Sequence, residues 1–207
     1  MLDGVMRRVI DPALDRAGRW LAARGAGADA VTLAGLAIGL AGAAAIALAG
    51  PWWAALGLVL ASRVLDGLDG AVARAAGKTD FGGYLDIVCD FAFYAAVPLA
   101  FVLRDPVANG VAGAALLASF YVNGATFLGY AVLAEKRGLT TRSRGEKSLY
   151  FTAGLLEGTE TIGFFALLCL WPAAFAPLAW GFGALCLVTA LSRVLIAARS
   201  FRDPAPL

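Results

Sequence analysis

Apolar residues run in six long stretches, at about 31–49, 52–75, 82–103, 109–134, 149–171 and 177–198. Each is close to the ~20 residues that a helix needs to cross about 30 Å of hydrocarbon. The pattern predicts six transmembrane helices. Gly50-Pro51, Asp105-Pro106 and Trp171-Pro172 punctuate the turns on one side, while Gly77-Lys78-Thr79-Asp80 and the polar run from Glu135 to Lys147 lie on the other. Residues 1–25 read differently. Met6, Val9, Ile10, Ala13, Leu14, Ala17, Trp20 and Leu21 recur at helical spacing, with arginines on the other face. That pattern predicts an amphipathic helix lying on a membrane, arginines toward anionic headgroups. Asp11-Pro12 reads as its cap followed by proline at the first helical position. Charges break the segment too often for the apolar core of a secretory signal.

Composition agrees with a membrane assignment. The 207 residues are 60% hydrophobic and 15% charged, and mean hydropathy is +0.77. Soluble domains average about 45–50% apolar and about 25% charged, and one aqueous core of this length cannot hide the excess. The fold class expected is an all-α membrane protein, one compact domain in length. The net charge of +2 conceals an uneven distribution. Arg7, Arg8, Arg16, Arg19 and Arg24 precede the first span, Arg74 and Lys78 follow the second, and Lys136, Arg137, Arg142, Arg144 and Lys147 follow the fourth. Arg199 and Arg202 follow the sixth, and only Arg104 lies on the opposite side. The positive-inside rule then puts both termini in the cytoplasm. Histidine is absent, which removes the commonest general base and transition-metal ligand. Cys89, Cys169 and Cys186 sit in apolar runs without a CxxC and read as small hydrophobes.

The informative exceptions are acidic. A carboxylate near the centre of a span costs about 2.5–3.5 kcal/mol on insertion scales, yet Asp66 and Asp69 lie late in span two and Asp86 and Asp90 early in span three. Spacing of i,i+3 and i,i+4 puts each pair on one helical face. At 1.5 Å per residue, Asp66 and Asp69 lie roughly 8 and 3 Å inside the cytoplasmic edge, and Asp86 and Asp90 roughly 6 and 12 Å. The pairs therefore meet at similar depth on antiparallel neighbours. Four carboxylates that close repel unless cations sit among them, and hard divalent ions, magnesium or manganese, suit oxygen ligands. Two ions about 3.5–4 Å apart have enough ligands. Gly67, Gly70, Gly82 and Gly83 let backbone approach a ligand. Gly82-Gly83 opens span three, whose amides can face an anion, and Arg74 can clamp phosphate oxygens.

Asp66-Gly67-Leu68-Asp69-Gly70-Ala71-Val72-Ala73-Arg74, seven residues, Gly82, then Asp86 and Asp90 closely resembles the signature of the CDP-alcohol phosphotransferase family, D-x-x-D-G-x-x-A-R, a spacer, G-x-x-x-D-x-x-x-D. All eight fixed positions match, and the resemblance extends to a surface helix followed by six spans. It implies one CDP-alcohol phosphatidyltransferase domain over residues 1–207, with a juxtamembrane helix at 1–25 and a six-helix bundle at 31–198. It further implies metal at Asp66, Asp69, Asp86 and Asp90, with Asp90 also the general base. Gly70, Ala73, Arg74 and Gly82 would shape the CDP pocket. The family's N-x-x-T element reads Asp29-Ala30-Val31-Thr32 here, so Asp29 either contacts nucleotide with Thr32 or is that helix's N-cap. The implied reaction moves a phosphatidyl group from CDP-diacylglycerol to a small hydroxyl acceptor, releasing CMP.

For the acceptor, Arg142, Arg144 and Lys147 in the polar loop can hold the phosphate of glycerol 3-phosphate, the leading acceptor, or of inositol phosphate, or are an ordinary positive-inside loop. Glu157 and Glu160 in span five either bind hydroxyls or an amine, as in inositol or serine, or pair with Arg63. Arg63 can equally sit beside Asp66, one turn away. The competing class is a cation carrier or channel, or a structural salt-bridge network. Expected partners are CDP-diacylglycerol, a polar acceptor and membrane lipid, with no nucleic acid. Small-residue helices leave room for a homodimer. The expected location is the bacterial inner membrane with a cytoplasmic site.

Overall fold

The computed structural model describes residues 3–138, 156 and 158–202. These form helices α1 (Asp3–Ala22), α2 (Ala28–Ala47), α3 (Trp52–Ala76), α4 (Asp80–Arg104), α5 (Pro106–Lys136), α6 (Gly158–Leu170) and α7 (Phe175–Phe201), with a 3-10 turn at Pro172–Ala174 before α7. No strand occurs among the described residues. The protein is all-helical.

Among the described residues, four units are long and apolar enough to cross a membrane, namely α2, α4, α5 and Pro172–Phe201. The α3 helix has 25 residues but carries Arg63, Asp66, Asp69 and Arg74. Its polarity rather than its length sets it apart. The expected fifth span, 149–171, corresponds to the 13-residue α6. Leu156 lies outside any helix, and residues 149–155 and 157 fall outside the described ones.

Two sequence expectations about helix starts are corrected. Helix α1 begins at Asp3 and runs through Pro12, so Asp11 does not cap it. Proline removes one N–H and crowds the carbonyl four residues back; here that residue is the exposed Arg8, whose carbonyl water or headgroups can satisfy. Helix α2 has Gly27 at its N-cap and Asp29 inside its first turn, so Asp29 does not cap it.

Helix α2 organises the bundle. It packs against both α3 and α4, whereas α3 and α4, consecutive in the chain, share little backbone contact. Thr32, Gly35, Gly39, Gly42, Ala43 and Ile46 form its buried face, spaced by three or four residues so that they align. Small residues there allow close helix approach, which in lipid must come from packing and hydrogen bonds. A Cβ on Gly39 would stand 2.5 Å from the Phe93 ring and 2.7 Å from the Ser62 hydroxyl. That hydroxyl donates to the Gly35 carbonyl at 2.7 Å. Beyond α2, α5 packs on α4 and α7, α6 on α3, and α1 on α3.

The core is aromatic at the far side from the aspartates. Phe101 stacks on Phe175 at 4.8 Å and Phe164 on Phe182 at 4.0 Å. Large apolar side chains also cover the outside, as at Leu48, Val107, Val111 and Val132. That is the expected surface where lipid is the solvent. Cys89, Cys169 and Cys186 are buried and unpaired, as their apolar surroundings imply. Arg104 donates to the carbonyls of Ile46 and Gly50 at 3.1 and 3.3 Å. Its guanidinium lies 3.8 Å over the Trp52 ring. It therefore neutralises the partial negative charge at the end of α2.

Replacing Gly39 by leucine should destabilise the bundle by about 1–3 kcal/mol or prevent folding, the usual cost of overpacking. Gly57, which has nothing within 4 Å of a built Cβ, should accept leucine without penalty. Thermal unfolding of both variants in detergent checks this.

Candidate active site

The site lies where the end of α3 and the beginning of α4 face each other across α2. Asp66 and Asp69 come from α3 and Asp86 from α4; one carboxylate oxygen of each lies within 4.8 Å of the others. Asp69 is buried, and its Oδ2 has no hydrogen-bond partner. A buried, unpartnered carboxylate oxygen is costly. Three oxygen donors around such an atom fit a hard divalent cation. Thr32, whose hydroxyl donates to the Ala28 carbonyl at 3.1 Å, stands beside Asp69. The N-x-x-T threonine therefore reaches the acidic group from α2.

Asp90 lies one turn beyond Asp86 and is outside that three-residue group. Its Oδ1 accepts from Arg63 Nη1 at 2.6 Å, and the same nitrogen donates to Asp66 Oδ1 at 3.2 Å. Arg63 Nη2 donates to Ser62 Oγ at 3.1 Å. Its guanidinium lies 3.9 Å from the Phe93 ring centre. Of the two positions open to Arg63 in the sequence, the structure takes the one beside Asp66 and adds Asp90, 27 residues away.

The other motif residues occupy the mouth. Arg74 donates to Asp15 Oδ1 of α1 through Nη2 at 2.7 Å and Nε at 3.2 Å. The contact is close because Gly18 permits it: a Cβ there would lie 2.6 Å from the Ala71 Cβ. Gly70 leaves Arg74 Nη1 room at 3.4 Å from a built Cβ, and Ala73 is half-buried between them on α3. Gly82 behaves differently from the sequence expectation. Thr79 caps α4, accepting from Gly82 N at 2.9 Å, and its carbonyl accepts from Gly83 N at 3.2 Å. Neither amide points at an incoming anion. Gly82 instead gives space to Asp29, whose Oδ1 would lie 3.1 Å from a Cβ there.

Arg142, Arg144, Lys147 and Glu157 lie outside the described residues. Glu160 sits in the first turn of α6. Sequence reasoning did not find Asp15 as the partner of Arg74, nor the half-buried hydrogen bond from Arg193 Nη1 to Asn123 Oδ1 at 2.7 Å. A cation within an apolar span was the available signal for Arg193.

The family model for CDP-alcohol phosphatidyltransferase matches residues 26–194. The chain belongs to the CDP-alcohol phosphatidyltransferase family. It is thus an enzyme of that class rather than a carrier or channel. An Escherichia coli (strain K12) relative, named inner membrane protein YnjF, is 47% identical over 194 residues, covering 94% of each chain. With the apolar helices, this supports an integral inner membrane protein. Mycobacterium tuberculosis phosphatidylinositol phosphate synthase (PgsA1), solved with CDP-DAG bound, has the same fold, with a TM-score of 0.71 at 22% identity. The match covers 94% of this chain and 98% of that one. CDP-alcohol phosphatidyltransferases generally use divalent metals, and the Asp66, Asp69 and Asp86 oxygens fit that requirement.

Gly18→Leu should detach α1 from α3 and raise amide hydrogen exchange throughout α1. Asp15→Ala should raise it only slightly, because the Arg74 pair is half-exposed and such pairs contribute about 0–1 kcal/mol.

Proposed function

We propose that this protein transfers a phosphatidyl group from CDP-diacylglycerol to the hydroxyl of a small polar acceptor, releasing CMP. The acidic group of Asp66, Asp69 and Asp86 beside Asp90 carries this reading. It supplies oxygen donors for divalent metal and a carboxylate base in a chain without histidine. Magnesium or manganese would be held by Asp66, Asp69 and Asp86, and a second ion would draw on Asp90. Bound divalent metal would screen the pyrophosphate charge and stabilise the leaving CMP.

Asp90 takes the proton of the acceptor hydroxyl as its oxygen attacks the β-phosphorus. The bond from that phosphorus to the bridging oxygen breaks, and CMP departs with the electron pair. Gly70 and Ala73 leave room for the nucleotide, with Gly82, Asp29 and Thr32 at its edge. Arg74, turned from Asp15, clamps phosphate oxygens. The acyl chains remain in the bilayer between the helices.

Glycerol 3-phosphate is the favoured acceptor, its phosphate held by Arg142, Arg144 and Lys147. Inositol phosphate fits the same cations, whereas inositol, serine or another unphosphorylated polar alcohol would rely on Glu157 and Glu160. The charge distribution supports cytoplasmic termini and a cytoplasmic site. In that orientation one catalytic domain spans 1–207, with α1 as its amphipathic surface helix and a 31–198 bundle that crosses six times. A homodimer through small-residue faces completes the reading.

Purified protein given CDP-diacylglycerol and magnesium or manganese should release CMP with one phosphorylated acceptor. Asp90→Asn should lower the rate by at least about 100-fold, the lower range for a lost general base, with helical circular dichroism retained. CMP release only with inositol or serine would move the acceptor assignment to Glu157 and Glu160. No release from folded protein with any acceptor would refute the proposal.

A further inference from the structure

Arg63 is a permanent cation inside an acidic site. Its side chain is 6% exposed, and a guanidinium does not deprotonate in proteins. It is fixed from several directions: Asp90 at 2.6 Å, Asp66 at 3.2 Å, Ser62 at 3.1 Å, and the Phe93 ring 3.9 Å below. Tyr94 adds a second ring at 5.8 Å. Cation–π contact and charge-assisted hydrogen bonds both hold such a group in place.

The consequence lies in how the four carboxylates divide. Asp66, Asp69 and Asp86 bring oxygens together within 4.8 Å, while Asp90 is occupied by Arg63. We propose that Arg63 holds the place of one divalent ion, so that the site binds one ion tightly and a second only by displacing the guanidinium from Asp90. The charges agree. Four carboxylates and one guanidinium leave a net negative site that one divalent ion nearly neutralises. With Arg63 in place, a second divalent ion would turn the site net positive, so it is disfavoured until the guanidinium leaves Asp90. Arg63 also keeps Asp90 oriented across the gap between α3 and α4 before any ion arrives. This proposal rests on the reading that divalent metal binds the aspartates.

The test is a manganese titration of the purified full chain in detergent, with free ion followed by electron paramagnetic resonance and no substrate present. The wild type should show one tight ion and a second weaker by at least about tenfold, a difference of about 1.4 kcal/mol. Arg63→Met should tighten the second ion until the two are comparable. Asp90→Asn removes the competing carboxylate and should leave the tight ion unchanged within about twofold, well under that 1.4 kcal/mol; it reads the same division of ligands if Arg63→Met does not fold. Two equivalent ions in the wild type, an unchanged Arg63→Met titration, or loss of the tight ion in Asp90→Asn would each overturn the proposal while leaving metal binding intact. No manganese binding to any protein would instead overturn the metal reading on which it rests.

Discussion

Ionised carboxylates about 5 Å apart repel by roughly 3 kcal/mol per pair at an effective dielectric constant of ~20, and near lipid they also lose solvation. Asp66, Asp69, Asp86 and Asp90 cannot all stay ionised in one corner of a bundle unless cations enter it. The rest of the molecule is arranged around that requirement. Arg63 neutralises part of the charge from within. The unpartnered Oδ2 of Asp69 marks where the remainder must come from. The same requirement makes α3 too polar to resemble an ordinary span, although its length is ample.

Keeping the aspartates close without crushing the space between them is the work of α2. Its glycine face lets α3 and α4 both lean on one helix instead of on each other. Two consecutive helices packed directly together would bring the carboxylates into contact and close the mouth. Splayed over α2, they leave room at one end, while Phe93 on Gly39 and the aromatic stacks near Phe101 close the other. Helix α1 is tied into this arrangement through Gly18 and the Asp15–Arg74 pair. The segment ahead of the bundle thereby touches the motif itself, and any movement of α1 is felt at the arginine assigned to phosphate.

Much of this was legible in the sequence, for local reasons. Apolar runs of helical length place α2, α4, α5 and α7 within a few residues, because hydropathy and helix rise are properties of contiguous chain. The aspartate spacing on α3 and α4 is likewise local, as is Arg63 beside Asp66. The misses come from longer range or competing chemistry. Arg63 with Asp90 spans 27 residues and Arg74 with Asp15 spans 59; neither follows from periodicity. Thr79 takes the amides of both Gly82 and Gly83, a side-chain cap that a glycine pair conceals. Pro12 looked like a helix start, yet on an exposed helix the loss of one backbone donor is tolerated.

The central claim is that a divalent cation resides on Asp66, Asp69 and Asp86. Anomalous diffraction from crystals grown with manganese measures it most directly. A peak about 2.0–2.4 Å from carboxylate oxygens of all three residues, the range for hard cations with oxygen ligands, is the predicted result. Full-occupancy manganese elsewhere in the chain, with no peak among these aspartates, would contradict the account.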